Sequence, residues 1–498
     1  MPRLRFSNVS FIHETAVEPL FNELNLHFQR GWTGVVGANG AGKTTFLELA
    51  TGGLATGSGK ITGRDGAIYC DQRTDHQPKG FGQFLESGEG ARLRGLLGVD
   101  ASWRDRWSSL SHGERKRAQI GTALWQDPHV LAIDEPTNHI DGNARKQLVD
   151  ALAGFRGVGL LVSHDRALLD LLCQQCLFIG HSEVMLRPGG YSHGRDQSQM
   201  ERESRERHYL SVQRERVHMD REVGRRRALA QNTKKRLSKK DISRKDHDAK
   251  SKVDAARLSG KDARAGRLQK QLESRLDRLR DTEAGLRGEK TRQLGIWMPG
   301  CKTHVRHLLH LKEGTVSLGD RRKLTWPVLS MKPADRIGFT GPNGFGKSTF
   351  ITHLLRQLKL SGEKLLYLPQ ELSSEAGTEL LEEARAMDGP LLGRVMAVIS
   401  RLGSDPTRLL RSSRPSPGET RKLMLALGVC REPHLIVMDE PTNHLDLPSV
   451  ECLEKALEDC PCGLILISHD EPFLKGLTTI RWSLQTVNEG NVQLRVKS

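Results

Sequence analysis

Short continuous apolar runs alternate along the chain with segments of helical period. Trp32-Thr-Gly-Val-Val36 and Arg336-Ile-Gly-Phe-Thr340 both lead into glycine clusters. Phe46-Leu-Glu-Leu-Ala50 and Phe350-Ile-Thr-His-Leu-Leu355 continue behind those clusters as helices. His129-Val-Leu-Ala-Ile133 and His434-Leu-Ile-Val-Met438 end at Asp-Glu pairs, and Gly159–Val162 and Gly463–Ile467 are further strand-length runs. Strands apolar at every position belong to sheets covered on both faces, usually parallel ones. The pattern predicts an α/β fold. It places both acidic pairs at strand carboxyl ends, where open parallel sheets bind ligands.

The pattern occurs twice. Gly37-Ala-Asn-Gly-Ala-Gly-Lys43-Thr44 returns as Gly341-Pro-Asn-Gly-Phe-Gly-Lys347-Ser348, 304 residues on. Asp134-Glu135-Pro-Thr-Asn-His-Ile-Asp141 returns as Asp439-Glu440-Pro-Thr-Asn-His-Leu-Asp446, and Ser163-His164-Asp165 as Ser468-His469-Asp470, each 305 residues on. Three unrelated motifs with one offset mean a duplicated domain. The chain of 498 residues has room for about three domains of ordinary size. Boundaries at 1–190, 191–300 and 301–498 leave two copies and a different segment between them.

That segment has no proline between Pro188 and Pro299. Leu268, Leu272, Leu276 and Leu279 form a stripe narrow enough for one partner helix. Upstream, Leu210 and Val217 are the apolar positions expected to face it. Two antiparallel helices with a turn inside 230–262 are expected, each about 50 Å long at 1.5 Å per residue. A disordered basic linker is the alternative.

The chain carries a net charge of +16, and residues 191–300 hold 30 Lys and Arg against 17 Asp and Glu. Most of the surplus therefore sits in the insert, and a basic excess of this size points to nucleic acid or another anionic surface. Lys234, Lys235, Arg236, Lys239, Lys240, Arg244, Lys245, Lys250 and Lys252 cluster near the expected tip. No Phe, Tyr or Trp occurs between Tyr209 and Trp297, so base stacking on single strands is disfavoured. Recognition of folded RNA through phosphate and shape is favoured. No apolar run approaches the ~20 residues of a membrane span. The N-terminal Met-Pro-Arg-Leu-Arg-Phe lacks a secretory core, so a cytoplasmic protein is expected. The eight cysteines read as free thiols, without zinc spacing.

Gly37-x4-Gly42-Lys43-Thr44 has phosphate-loop spacing. Its glycines (Gly37, Gly40 and Gly42; Gly341, Gly344 and Gly346 in the second copy) let backbone N–H groups turn onto phosphate oxygens. Lys43 and Lys347 would charge-balance the β/γ-phosphates, and the Thr44 and Ser348 hydroxyls would reach Mg²⁺. Asp134 and Asp439 are the candidate Mg²⁺ carboxylates. Glu135 and Glu440 are placed to orient or deprotonate an attacking water. His164 and His469, repeated in context, read as γ-phosphate sensors. A Ser-His-Asp hydrolase relay is excluded, because three adjacent residues cannot form it.

Leu110-Ser111-His112-Gly113-Glu114 resembles the ABC signature Leu-Ser-Gly-Gly-Glu/Gln. Its counterpart is Arg414-Pro415-Ser416-Pro417-Gly418-Glu419, where two prolines depart from the pattern. Gln72 and Gln370 resemble the glutamines that approach Mg²⁺ from a neighbouring loop. With both Asp-Glu-Pro-Thr-Asn-His motifs and a charged helical insert, the whole chain is similar to the ABC-F family. That resemblance implies an α/β protein of two P-loop ABC ATPase domains joined by a long antiparallel helical hairpin. It implies ATP and Mg²⁺ at two composite sites. Lys43 and Glu135 would face Ser416 and Gly418; Lys347 and Glu440 would face Ser111 and Gly113. Asn39, Thr45, Asn343 and Thr349 complete the implied ATP-binding set.

ABC-F proteins are ribosome-associated ATPases whose linker reaches P-site tRNA and the peptidyl-transferase region. They act in translation or protect ribosomes from antibiotics. The short stretch from Gln72 to Leu110 is similar to compact members without an arm subdomain. The expected molecule is a monomer with intramolecular cassette pairing. Two rivals remain at this level: the energy subunit of a drug-export ABC transporter, and a DNA-associated ATPase.

Overall fold

The computed structural model describes the chain apart from residues 1–2, 15, 17, 138–139, 141, 181–182, 237–260, 287–297, 299–302, 304, 320–321, 359, 361, 371, 444, 488–490 and 498. For residues 143, 229–236, 261–269 and 374 only the backbone is described. The chain divides into two compact units, one formed by Met1–Gly194 with Arg292–Ser498 and the other by Arg195–Thr291.

In the larger unit the two copies share one strand order. The first half's central sheet runs Ile68–Cys70, Val130–Asp134, Val158–Val162, Gly31–Gly37, Cys173–Ile179, Val184–Pro188. The second half repeats it as Leu365–Leu368, Leu435–Asp439, Gly463–Ile467, Arg336–Thr340, Ile480–Thr486, Val492–Lys497. The first five strands of each set are parallel and the sixth is antiparallel. Every residue of Val130–Asp134, Val158–Val162, Leu435–Asp439 and Gly463–Ile467 is buried. This is why these segments read as unbroken apolar runs. The glycine loops leave central strands and enter helices Lys43–Thr51 and Lys347–Gln357.

The halves differ at their outer sheets. In the first, Leu4–Phe11 lies between Phe21–Phe28 and Ser58–Thr62 in a separate antiparallel sheet. Phe6 stacks on Phe46 of the P-loop helix, with ring centroids 5.0 Å apart. In the second, Gly314–Ser317 and Lys323–Trp326 extend the main sheet through Val492–Lys497. The halves also share a core, since Leu447 of the second packs in the apolar cluster that holds Trp32 and Leu161 of the first.

The smaller unit contains most of helix Tyr191–Arg236 and all of helix Lys261–Leu286. Their partners run in opposite directions. Arg227 pairs with Glu273, Arg280 with Asp220, and Arg216 with Glu283, so the helices are antiparallel as expected. Leu276 is buried against Met219 and Val223, with Leu272 and Leu279 packed at the edge. Leu210 and Val217, expected to face this stripe, are instead exposed. The charged face wins those two positions, and the buried line on the first helix runs through Val212, Met219 and Val223. The Leu268 side chain and the expected turn, including Lys239, Lys240, Arg244, Lys245, Lys250 and Lys252, lie outside the described residues. Lys234, Lys235 and Arg236 form the last described turn of the first helix.

Candidate nucleotide sites

Both phosphate loops are built from left-handed backbone. Gly40 and Gly42 have φ of 79° and 97°, and Gly344 and Gly346 have 76° and 85°. These angles favour glycine, and a Cβ at Gly42 would lie 2.8 Å from Leu20 Cδ2. Neither following helix has a side-chain cap, so its first N–H groups are available to an anion. Lys43 Nζ donates to the Gly37 and Ala38 carbonyls at 2.9 and 3.1 Å. Lys347 Nζ donates to those of Gly341 and Pro342 at 2.6 and 3.3 Å. Each lysine thus folds back over its own loop. Asn39, Asn343 and Thr349 are exposed, whereas Thr45 is buried and its hydroxyl lies 3.4 Å from His13 Nε2.

The hydroxyl–carboxylate pairs expected of a Mg²⁺ site are formed. Thr44 donates to Asp134 at 2.8 Å, and Ser348 to Asp439 at 3.0 Å. Tyr69 also donates to Asp134, at 3.3 Å. Burial raises both aspartates above the usual carboxylate range, against the pull of the Thr44 and Ser348 hydroxyls and the nearby cations. The other Asp439 oxygen, Oδ1, is buried and receives no hydrogen bond. A hard divalent cation taking oxygen ligands fits this set.

Glu135 and Glu440 both hold φ of 48°, a left-handed conformation that side-chain-bearing residues rarely adopt. Each is pinned by its backbone N–H to the neighbouring strand, to Val162 O at 2.9 Å and Ile467 O at 2.8 Å. Burial pushes the Glu135 carboxyl up to about 8, helped by Asp134 and opposed by Lys43. Burial pushes Glu440 to about 7, opposed by Lys347.

The two histidines are placed differently. His164 Nε2 lies 3.2 Å from Glu135 Oε1. His469 Nε2 is 3.7 Å from Glu440 Oε1 and closer to Lys347 Nζ, at 3.1 Å, and Asn343 Oδ1, at 3.2 Å. Ser163 and Ser468 accept the N–H groups of Asp165 and Asp470. Asp165 caps helix Arg166–Leu172 and pairs with Arg145, so no Ser-His-Asp relay forms.

Each signature hydroxyl engages its own helix. Ser111 and Ser416 each cap their own helix and donate to Glu114 and Glu419 at 2.7 Å. Gly113 is buried beside this cap and Gly418 half-buried. Gln72 is exposed. Gln370 lines a cavity of about 90 Å³ with Lys347, Glu440 and His469, and Thr137 and Ile140 of the first half also line it.

Three residues to which the motifs assigned no role organise the sites. Lys116 is fully buried and donates to the carbonyls of Asp71 and Asp134 at 2.6 and 2.8 Å. Arg421, at the matching place in the second half, donates to the carbonyls of Glu440, Pro369 and Gln370. Each cation thus ties a glutamine loop to the strand end bearing the acidic pair. Asp446, last residue of the repeated acidic motif, accepts the Asn39 N–H of the first P-loop at 2.8 Å. The 305-residue repeat pairs Lys116 with Arg421 and was the signal available for these two.

The ABC transporter family model matches residues 21–138 and 327–443. With two P-loops, two Asp-Glu strand ends and two signature helices in place, the chain is an ATP-hydrolysing ABC ATPase with two cassettes. The ribosome protection protein VmlR of Bacillus subtilis is 27% identical, across 95% of this chain and 85% of that one. The ATP-binding protein Uup of Caulobacter vibrioides is 28% identical, across 93% and 74%. ABC transporter F family member 5 of Arabidopsis thaliana is 29% identical, across 74% and 50%. The chain is thus similar to ABC-F-type twin-cassette proteins over most of its length. The fold is shared with the archaeal ribosome recycling factor aABCE1, solved with the stalk protein aP1, at a TM-score of 0.60 and 16% identity over 98% of this chain and 89% of that one. Among the described residues, no helix is long and apolar enough to cross a membrane.

Proposed function

We propose that this ATPase binds the ribosome in its ATP-loaded form and leaves after hydrolysis. One observation carries the reading: similarity to a ribosome protection protein extends over 95% of the chain. The basic surplus of the insert is consistent with it. In this reading residues 1–190 and 301–498 are cassettes and 191–300 is the linker. ATP occupies Lys43 and Lys347 and draws the cassettes together. Glu135 and Glu440 hold the attacking water; a raised carboxyl pKa suits a base working near neutrality. His164 and His469 sense the γ-phosphate. Thr44, Gln72, Asp134, Ser348, Gln370 and Asp439 would hold Mg²⁺, which would supply charge neutralisation for the transferred phosphate. Ser111, Gly113, Ser416 and Gly418 complete the opposite sites once the cassettes tighten. The basic tip meets ribosomal RNA and P-site tRNA near the peptidyl-transferase region. The outcome is regulation of translation or protection from an antibiotic, in the cytoplasm and by a single chain.

The test is the double variant Glu135→Gln, Glu440→Gln. With ATP present it should cosediment with ribosomes, and deleting residues 231–260 should abolish this. A double variant that sediments free of ribosomes ends the reading. Retention on membranes with unaffected behaviour of the deletion would favour the transporter subunit.

A further inference from the structure

Helix Leu447–Glu458 of the second half meets the first half along its length. Asp446, its N-cap, holds the Asn39 N–H of the first P-loop. Leu447 enters the first half's core. One turn on, Glu451 Oε1 accepts the Tyr191 hydroxyl at 2.9 Å. Three residues later, on the same face, Glu454 takes both arms of the Arg166 guanidinium, NH1 donating to Oε2 at 2.8 Å. The Arg166 and Glu454 side chains are only 13% and 18% exposed. This is a shielded, bidentate pair rather than a weak surface one.

The first-half partners belong to three functional parts. Asn39 lies in the P-loop. Arg166 follows His164 and Asp165 directly. Tyr191 is the first residue of the helix that runs on to Arg236. Tyr191 is buried, with its ring stacked on Phe178 at 6.1 Å. Ser192 donates its N–H to Asp170 at 2.8 Å. The root of the long helix is therefore anchored to the first half independently of Glu451.

The second half lacks the matching set. At the 305-residue offset, Arg166 corresponds to Glu471, Glu451 to Lys146, Glu454 to Val149 and Tyr191 to Val496. Glu471 accepts from Arg481 of its own half at 3.3 Å, and Val496 is exposed.

We propose that helix Leu447–Glu458 couples filling of the first nucleotide site, the one on Lys43, to the root of the interdomain helix. Tyr191, Glu451, Arg166 and Glu454 are its positioning residues, and among the described residues the second site has no counterpart of the Tyr191–Glu451 and Arg166–Glu454 pairs. A short helix is rigid, so a shift of Asp446 as the first P-loop fills is carried to Glu451 and Glu454. The proposal rests on the P-loops being ATP sites but not on ribosome binding.

The experiment compares the full-length single variants Glu135→Gln and Glu440→Gln, each of which retains ATP in one site while the other turns over. Hydrogen exchange is followed at amides 195–205, and a fluorophore pair across the cassette seam reports closure. Exchange should slow roughly tenfold in Glu135→Gln only. Tyr191→Phe or Glu454→Ala, added to Glu135→Gln, should remove most of that slowing while the seam still closes. Glu451→Gln keeps an acceptor for the Tyr191 hydroxyl and should preserve it. Equal slowing in both single variants overturns the proposal, as does slowing that survives Tyr191→Phe and Glu454→Ala together. Loss of closure in those variants overturns it too, because the residues would then hold the seam rather than transmit across it. Failure of Glu135→Gln to bind a fluorescent ATP analogue would overturn the nucleotide-site reading itself.

Discussion

Asp446 and Asn39 stand 407 positions apart in the chain and are joined by one hydrogen bond of 2.8 Å. The carboxylate is already oriented when it reaches the P-loop. Its Oδ1 accepts the Ser449 N–H at 2.9 Å, and Lys422 Nζ lies 3.7 Å from Oδ2. Asp446→Ala should weaken ATP binding at the first site by roughly tenfold, the worth of one charge-assisted hydrogen bond. Titration of a fluorescent ATP analogue into a Lys347→Ala background isolates that site.

The same contact sets a pH dependence. Burial would raise the Asp446 pKa, but Lys422, Ser449 and the Asn39 N–H outweigh it and hold the carboxyl below its ordinary 3.8. A depressed folded pKa contributes stability that is present above the unfolded value and lost as pH falls through the folded one. The gap in thermal stability between the parent and Asp446→Asn should therefore stay constant at neutral pH and down to about 4. It should close only at lower pH. A gap that closes between pH 5 and 7 would contradict the assignment.

Lys116 is buried and donates to two carbonyls, that of Asp134 itself buried. Lys116→Ala should cost about 3 kcal/mol in urea unfolding, from the lost hydrogen bonds and the space left behind. Lys116→Arg should cost much less, since Arg421 performs the same task at the matching place. Equal losses for both variants would mean that packing volume, not the carbonyl anchors, is what matters.

Replacing Lys234, Lys235, Arg236, Lys239 and Lys240 with glutamine should weaken ribosome binding and flatten its salt dependence. The log–log slope should fall by up to about 0.9 per phosphate contact removed. Sedimentation with ribosomes across a salt series checks this. An unchanged slope would place the RNA contacts elsewhere.

The buried parallel strands and both phosphate loops were legible because doubly covered strands leave unbroken apolar runs and left-handed turns demand glycine; the order of the strands was not. The hydroxyl–carboxylate pairs, Thr44 with Asp134 and Ser348 with Asp439, followed from the motifs alone. The facing line of the hairpin did not. In a strongly charged helix, several apolar pairs have acceptable spacing, and only the partner selects Met219 and Val223 over Leu210 and Val217. Asp446 on Asn39 and Glu454 on Arg166 were also hidden, because contacts between the copies depend on how two folded halves meet. The signature serines show the converse: the motif is plain, yet both hydroxyls cap their own helices.

The one-sided polarity of the seam also governs self-association. Two copies of the second half, brought together in the same manner, would set Glu471, in place of Arg166, near Glu451 and Glu454, carboxylate facing carboxylates. Two copies of the first would offer Arg166 only Lys146 and Val149. The repeat is thus symmetric in fold but not along its seam, where each half carries the complement of the other rather than of its own duplicate.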